Sequence, residues 1–562
     1  MDGKEKCGVF GAVVRSTEGA GDVEDAQEGT EGAPDGAAAK IAMVVYTGLF
    51  NLQHRGQESA GIACDGGDSG FSIYKGMGTV DWVFRKRVPT DKTVKFVTQH
   101  IWQGGSHVDI ARRLDEWWQE EHDKDTRNIQ KRRRGGDLGD SIVRSPLEDM
   151  QGIASIGHVR YSTMGESSAK NIHPIEFMFQ GNIATLAHNG EVEQANLRAL
   201  LAERGGYPLI GDTDTELIAA LIATSSAETF EDALRETLPL LKGAFSLVFL
   251  YGNTVYAAND KNGIRPLCVG ETPEYYLVAS ESCALDGLRA KFWGNVEPGS
   301  LIKSTAQGME ICSWASDAAW RSCVFEFIYF SRPDSIWRDV RMYFARKSMG
   351  RELAHEHPLW DADIIIPVLD SGMPAALGYA EEIQKRFPWW RKLWRLLKGK
   401  KWLPQYEHGL IRSHFIGRTF MRPIESERTL LQYLKHSGIP ELIRGKIVVV
   451  VDDSIVRGNA SQAVVDILRY FGARKVFVLV SSPPIRHSCH LGVDMHAQED
   501  FAAYDKSIED VRVAIGADYL GYLSPEGLYR AIGLPRATFC DGCFTGEYPV
   551  APETKGVEVA IS

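Results

Sequence analysis

At 562 residues the chain is too long for one ordinary hydrophobic core, so two or more domains are expected. Apolar residues make up 44% and charged residues 24%, as in ordinary globular protein, and the formal net charge of -11 argues against a general nucleic-acid binder, which needs a basic face. No apolar run is long enough to span a membrane, and the leader MDGKEK lacks the apolar core of a secretory signal, so a cytosolic (cytoplasmic) protein without a membrane span is expected.

A short strand-like run, GVFGAVV, follows Cys7. Residues 16–39, rich in Gly, Ala and acids, read as a flexible insertion. A strand-like stretch then leads into GLFNLQHRGQESAGIAC. Residues 91–150 read as a second, partly helical insertion: DIARRLDEWWQEEHDK has helical spacing and KRRRGGDLGD breaks it. From 151 to about 312, β-rich runs recur in IASIGHVRYST, IATLAHNGEV, GAFSLVFLYGNTVYAAND and YYLVASES. The helical stretches EQANLRALLAER and TDTELIAALIATS interrupt them, which predicts stacked sheets with helices outside. After residue 320, ADIIIPVLDSG, GKIVVVVDDSIVRGNAS and ARKVFVLVSSPP are near-continuous β-branched runs ending in polar turns. They predict a parallel sheet with crossover helices and with ligands at the carboxyl ends of its strands.

The stretch VVVVDDSIVRGNAS, residues 448–461, delivers Asp452 and Asp453 to a strand end, then a loop containing Gly458 that opens a helix. Backbone N–H groups at a helix start suit a phosphate, and paired carboxylates suit ribose hydroxyls or Mg²⁺. A bare DDS would favour an ordinary capped strand end; the whole pattern favours a site.

This stretch resembles the 5-phosphoribosyl-1-pyrophosphate (PRPP) loop of type I phosphoribosyltransferases. Six further stretches are FEFIYFSRPDS (325–335), IPVLDSGMPAALGYA (366–380), GLIRSHFIGRTFMRP (409–423), SSPPIRHSCHLGVDM (481–495), YLSPEGL (522–528) and CFTGEYP (543–549). Together they resemble successive blocks of the amidophosphoribosyltransferase family, in the family's order and across nearly the whole chain. The resemblance implies that Ser454, Ile455, Val456, Arg457, Gly458, Asn459, Ala460 and Ser461 hold the PRPP 5-phosphate. It implies that Asp452 and Asp453 engage the ribose and its Mg²⁺, with Ser371 near the metal. It makes RSHFIGRTF a mobile loop closing over PRPP, with Arg412 and Arg418 on the pyrophosphate; closure would exclude water. For each arginine alone, a solvated charge is the competing reading. Two positions depart from the family pattern: Asn459 stands where a hydroxyl residue is usual, and Leu369 where proline is common. Altered affinity rather than lost chemistry is expected there.

In the N-terminal half, CGVFG, LQHRGQESAGI, GHVRYST, AHNGEV and DTDTE resemble the same family's glutaminase domain. This implies an N-terminal-nucleophile (Ntn) hydrolase αββα sandwich, α+β in class, ahead of the doubly wound α/β sheet. Cleavage between Lys6 and Cys7 would give Cys7 a free α-amino group, of unperturbed pKa roughly 8, as its own general base. The thiolate would attack the glutamine amide, forming a thioester and releasing ammonia. The resemblance assigns the oxyanion to the Asn189 side chain and the Gly190 N–H. It assigns the substrate α-carboxylate to Arg160, the α-amino group to Asp214, and a structural or carboxylate-binding role to Arg55. Singly, Cys7 reads as a buried strand cysteine, HNG as a hairpin turn and Asp214 as a helix cap. Together and in order, they favour the glutaminase.

Nine cysteines, an odd number in a large chain, argue against a disulfide framework. Cys540 and Cys543 form a C-x-x-C, which alone is ambiguous among redox, zinc and iron–sulfur chemistry. The resemblance implies a [4Fe–4S] cluster, as some family members carry, on Cys323, Cys489, Cys540 and Cys543. Cys64, Cys268, Cys283 and Cys312 read as core or inert thiols. The segment KRFPWWRKLWRLLKGKKWL, 385–403, is basic, aromatic and amphipathic. Contact with a membrane surface or a partner is one reading; the favoured one is an inserted helix packed with its tryptophans inward.

The expected organisation is a propeptide at 1–6, a glutaminase domain at 7–320 with insertions near 16–39 and 91–150, and a phosphoribosyltransferase domain at 321–562 with an insertion near 385–403. The expected reaction makes 5-phosphoribosylamine from PRPP and glutamine, with purine nucleotides as feedback inhibitors and, by resemblance, a homotetramer. Its rivals are a nucleobase phosphoribosyltransferase that has lost its glutaminase, and a non-catalytic sensor of PRPP or nucleotides.

Overall fold

The computed structural model describes residues 7–16, 33–66, 70–84, 146–161, 168–399, 403–412, 436–495 and 497–551. The leader, most of the two predicted N-terminal insertions and Arg418 lie outside them. Two units form, one from the described residues up to Trp320 with Leu491–Val493, the other from Arg321–His490 and Asp494–Ala551.

The first unit stacks two antiparallel sheets. Its thirteen strands are β1 (Gly8–Val14), β2 (Ser59–Asp65), β3 (Phe71–Met77), β4 (Ala154–Arg160), β5 (Ile175–Phe179), β6 (Asn182–Val192), β7 (Gly243–Tyr251), β8 (Thr254–Asn259), β9 (Cys268–Glu271), β10 (Tyr275–Ala279), β11 (Lys291–Asn295), β12 (Ser300–Thr305) and β13 (Gly308–Ser313). One sheet has the order β11-β9-β10-β1-β4-β2-β3, the other β13-β12-β8-β7-β6-β5. Alternation along each strand sends one set of side chains between the sheets and the other outward. Val9, Val13, Ala63, Ile156, Ala187, Val248 and Ile302 make the layer between them. Phe10, Ala12 and Ile62 face outward under helix α1 (Ile41–Asn51) through Ile41, Val45 and Leu49. Leu186, Leu247 and Phe249 face the other way, under α2 (Gln194–Glu203), α3 (Asp214–Ala223) and α4 (Phe230–Thr237). The layering is αββα.

The second unit is built on a five-stranded parallel sheet. Its strands are β14 (Ile364–Pro367), β15 (Gln405–Tyr406), β16 (Ile447–Asp452), β17 (Lys475–Val480) and β18 (Tyr519–Tyr522), in the order β15-β14-β16-β17-β18. The β-branched runs are buried on both faces, as a sheet covered by helices demands. Helices α5 (Met342–Glu356), α6 (Met373–Arg386) and α8 (Asn459–Tyr470) accompany it, with a further helix α7 (Trp389–Leu397) inside the predicted insertion. The chain reverses its winding between β14 and β16, which puts the topological switch point at the ends of those two strands.

Helix α7 corrects one expectation. Its tryptophans do not pack inward: Trp389, Trp390 and Trp394 are exposed, and Arg395 is the buried residue.

Candidate active sites

In the first unit Cys7 leads directly into β1, the strand held between β4 and β10, with Gly8 opposite Val159 and Phe10 opposite Ala279. That register sets Cys7 beside the end of β4. Its Sγ lies 3.5 Å from the Tyr161 carbonyl oxygen, to which the thiol donates. Arg55 donates from Nε to the Cys7 carbonyl oxygen at 3.0 Å and from Nη1 to Glu281 Oε1 at 2.5 Å. The His54 ring Nε2 lies 2.8 Å from the same Glu281 oxygen. Just before Glu281, the Ser280 Oγ accepts from Val9 N–H at 2.9 Å, so the residues after β10 grip the backbone on both sides of Gly8. Arg160, at the end of β4, pairs with Glu58 at 3.3 Å. Burial pushes the Cys7 thiol up to about 11; the Tyr161 hydrogen bond and the charges of Arg160 and Arg55 pull it down without overcoming burial.

Asn189 and Gly190 lie on β6. Asn189 is buried, and among the described residues neither its Oδ1 nor its Nδ2 has a hydrogen-bond partner. Gly190 sits at φ +152 with the Ala244 carbonyl 1.9 Å from where a Cβ would stand, so only glycine fits. Asp214 opens α3 behind the cap residue Thr213; its Oδ2 accepts from Val192 N–H at 3.0 Å, tying the helix start to β6. The two sheets are joined here by His158 of β4, whose Nε2 lies 2.9 Å from the His188 carbonyl oxygen of β6. His158, His173 and His188 are all buried and held neutral, with burial lowering each; His158 falls to about 3.

The structure therefore gathers Cys7, Arg55 and Arg160 around one strand end, and Asn189, Gly190 and Asp214 around another. Sequence reasoning missed Glu281, which anchors Arg55, and Glu58, which pairs with Arg160. Glu58 lay within LQHRGQESAGI; Glu281 had no local signal.

In the second unit Asp452 ends β16, and the loop through Gly458 opens α8. Gly458 has φ +90, a left-handed position that glycine takes without strain, and α8 starts with no side-chain cap. Ser371, following β14, donates to Asp453 Oδ1 at 2.5 Å, so the two loops meet at the switch point. Ser454 Oγ donates to the other Asp453 oxygen at 2.8 Å. Burial first, and the Asp453 charge second, push Asp452 well above the usual carboxylate range. Arg412 reaches Asp370, beside Ser371, at 2.5 Å. Tyr329, on a turn of π-helix at Glu326–Phe330, is half-buried within the fields of Asp453, Arg412 and Asp452, and sequence reasoning gave it no role. Ile455, Val456 and Ser461 are buried, Arg457 and Ala460 half-buried, and Asn459 exposed at the helix start.

Cys323, Cys489, Cys540 and Cys543 are all buried, and Cys323 stands opposite Cys540 where Ser322–Cys323 pairs in parallel with Phe539–Cys540. Arg486 and His487 N–H groups donate to the Cys543 carbonyl oxygen at 2.9 and 3.1 Å, which brings the Cys489 loop to the C-x-x-C. Burial pushes the Cys543 thiol well up, and Cys323, Cys540 and Cys489 push it further. Among the described residues the one trio of His, Cys, Asp or Glu donors lying within 4.8 Å of one another is His54, Glu281 and Cys283. Of the other cysteines, Cys64, Cys268 and Cys283 are buried and Cys312 is half-buried.

Residues 158–287 match the family model described as a glutamine amidotransferase domain, so the first unit is that of a glutamine amidotransferase. Amidophosphoribosyltransferases of Mycobacterium tuberculosis and Bacillus subtilis are each 34% identical, across 97% of this chain and 87% and 94% of theirs. A solved glutamine PRPP amidotransferase from B. subtilis, complexed with ADP and GMP, superposes with a TM-score of 0.74 at 32% identity, covering 98% of this chain and 99% of that one. A second, described as the allosteric regulatory enzyme of purine biosynthesis, gives 0.75 at 32% identity over 98% of each chain. The chain belongs to the amidophosphoribosyltransferase family, and its fold is an Ntn hydrolase sandwich joined to a phosphoribosyltransferase sheet.

Proposed function

We propose that the chain forms 5-phosphoribosylamine, glutamate and pyrophosphate from PRPP, glutamine and water, the first committed step of purine synthesis. The observation that carries the reading is the Asn189 amide. A buried amide with neither polar atom satisfied is costly, and an oxyanion arriving at Nδ2 repays it. Cys7 attacks the glutamine amide carbon, Asn189 and the Gly190 N–H hold the resulting oxyanion, and ammonia leaves as the thioester forms. Water then releases glutamate. Arg160 takes the α-carboxylate and Asp214 the α-amino group, while Arg55 fixes the Cys7 carbonyl.

At neutral pH a thiol of pKa about 11 is thiolate in roughly one molecule in ten thousand. A base must therefore be supplied, and the α-amino group exposed by removing residues 1–6 supplies it. Ammonia passes to the anomeric carbon of PRPP, displacing pyrophosphate. The loop Ser454–Ser461 and the uncapped start of α8 receive the 5-phosphate, Asp452 and Asp453 the ribose, and Arg412 with Arg418 the pyrophosphate. Ser371, Asp452 and Asp453 fit Mg²⁺: two adjacent carboxylates and a hydroxyl, where burial and the Asp453 charge raise the Asp452 carboxyl and a cation would relieve both. Bound there, Mg²⁺ would neutralise the leaving pyrophosphate.

The four buried cysteines, brought together by the Ser322–Cys323 and Phe539–Cys540 pair and the Cys489 loop, fit a [4Fe–4S] cluster in number, and its part would be structural. Purine nucleotides as inhibitors, a homotetrameric assembly and a cytosolic location complete the proposal. The test is glutamate release by purified protein with and without PRPP, beside a Cys7→Ala variant. PRPP-dependent release that the variant lacks is expected; equal, PRPP-independent behaviour of the two proteins overturns the reading.

A further inference from the structure

The segment 385–403 differs from the rest of the chain in charge. It carries eight Lys or Arg and no Asp or Glu in a chain of net charge -11, and four of the thirteen tryptophans. Its described helix, α7, has two faces. At about 100° per residue, Trp389, Trp390, Leu393, Trp394, Leu396 and Leu397 fill an arc of about 160°, and Arg391, Lys392, Arg395 and Lys398 fill the opposite side.

A helix on a protein surface ordinarily buries such an apolar arc. This one is moored the other way round. Arg395 is buried, donating from Nη1 to the Ala362 carbonyl at 2.7 Å, with Nη2 3.5 Å from Asp363. Arg391 pairs with Asp361 at 3.1 Å. Ahead of the helix, the buried Phe387 ring meets Trp360 edge-on at 5.5 Å. The six apolar side chains of the arc remain 46% to 79% exposed. Cations line its edge: Lys398 Nζ sits 3.7 Å from the Trp394 ring centroid and the Arg391 guanidinium 5.0 Å from that of Trp390.

We propose that this face docks on an anionic lipid bilayer. Tryptophans and leucines enter the boundary between headgroups and acyl chains, and the flanking Lys392 and Lys398 meet the headgroup charge. Charge decides between a bilayer and a second copy of the chain. A two-fold contact would set this cationic segment against itself, whereas an anionic surface complements it. Anchorage through the buried Arg395 and the Arg391–Asp361 pair fixes the helix to the unit while leaving the apolar side free, as a surface-docking helix requires.

The test is flotation of the full chain with vesicles of phosphatidylcholine alone and of phosphatidylcholine mixed with phosphatidylglycerol. The Trp389→Gln, Leu397→Gln double variant is the control; both side chains are exposed, so it should keep the wild-type circular dichroism. The wild type should float with the anionic vesicles only, be released by salt, and show a blue-shifted tryptophan emission when bound. The variant's partitioning should fall roughly a hundredfold. No flotation of the wild type, or equal flotation of the variant, overturns the proposal. So does sedimentation in which the substitutions alone break a larger oligomer, which assigns the face to a second copy.

Discussion

Asn189→Leu should separate stability from catalysis in one protein. The Asn189 amide is buried in β6, and neither of its polar atoms has a partner among the described residues. An unsatisfied buried polar group costs about 1–3 kcal/mol, and leucine fills a similar volume without polar atoms. The free protein should gain about 2 kcal/mol, which raises the melting temperature by about 5 °C for a unit of this size. In the proposed mechanism the same change removes an oxyanion donor, worth about a hundredfold to a thousandfold in kcat. The loss should fall on kcat for glutamate release and leave KM for glutamine little changed, because the ground-state carbonyl needs the donor less than the oxyanion does. With ammonium chloride as nitrogen source, Cys7 is bypassed and phosphoribosylamine formation should be unaffected. Calorimetry and the two activity assays on the same preparation decide the matter. A lower melting temperature with unchanged glutamate release would refute the reasoning, since the amide would then be a satisfied structural group.

Two further predictions concern groups the chemistry leaves buried. Glu281→Gln breaks a buried pair with Arg55 and frees the guanidinium that holds the Cys7 carbonyl. Thermal unfolding should show a loss of about 3–5 kcal/mol, and glutamate release should fall while ammonia-driven activity survives. Acid should also destabilise the first unit. His158 has a folded pKa of about 3, below the unfolded 6.5, so its contribution is complete above 6.5 and is lost as pH falls towards 3. From neutrality to pH 4.5 that one group costs about 3 kcal/mol, and His173 and His188 act in the same direction. Asp260, pushed up to about 7 by burial, opposes them with a single proton. Urea unfolding across this range should show the decline, and His158→Gln should flatten it.

The sequence patterns that located these features differ in reach. The β-branched runs announced β14, β16 and β17 because burial on both faces needs no partner to be known. Alternation and turn residues likewise marked β4, β6 and β7. Pairing is another matter: the order β15-β14-β16-β17-β18 depends on contacts far apart in the chain, so the switch point became visible only with Ser371 beside Asp453. The periodicity of α7 showed two faces but not which one faces the sheet. That was settled by the Ala362 carbonyl and Asp363, 33 and 32 positions before Arg395, which carry no local signal. Glu281 reaches Arg55 across a sequence separation of 226, and no spacing rule links them.

The short parallel pair Ser322–Cys323 and Phe539–Cys540 ties the beginning of the second unit to its end. Arg338 adds a second stitch, donating to the Thr538 carbonyl at 3.0 Å. During synthesis, the strand beginning at Ser322 waits through some two hundred residues before its partner exists, and a loop of that length is slow to close. The parallel sheet is complete once β18 has been made, but the cysteine quartet gains two of its four members only afterwards. The last short stretch of the unit is thus the one that gathers its thiols. A chain cut just ahead of Phe539 would keep every strand of the main sheet and lose half of the quartet together with the seam that closes the unit.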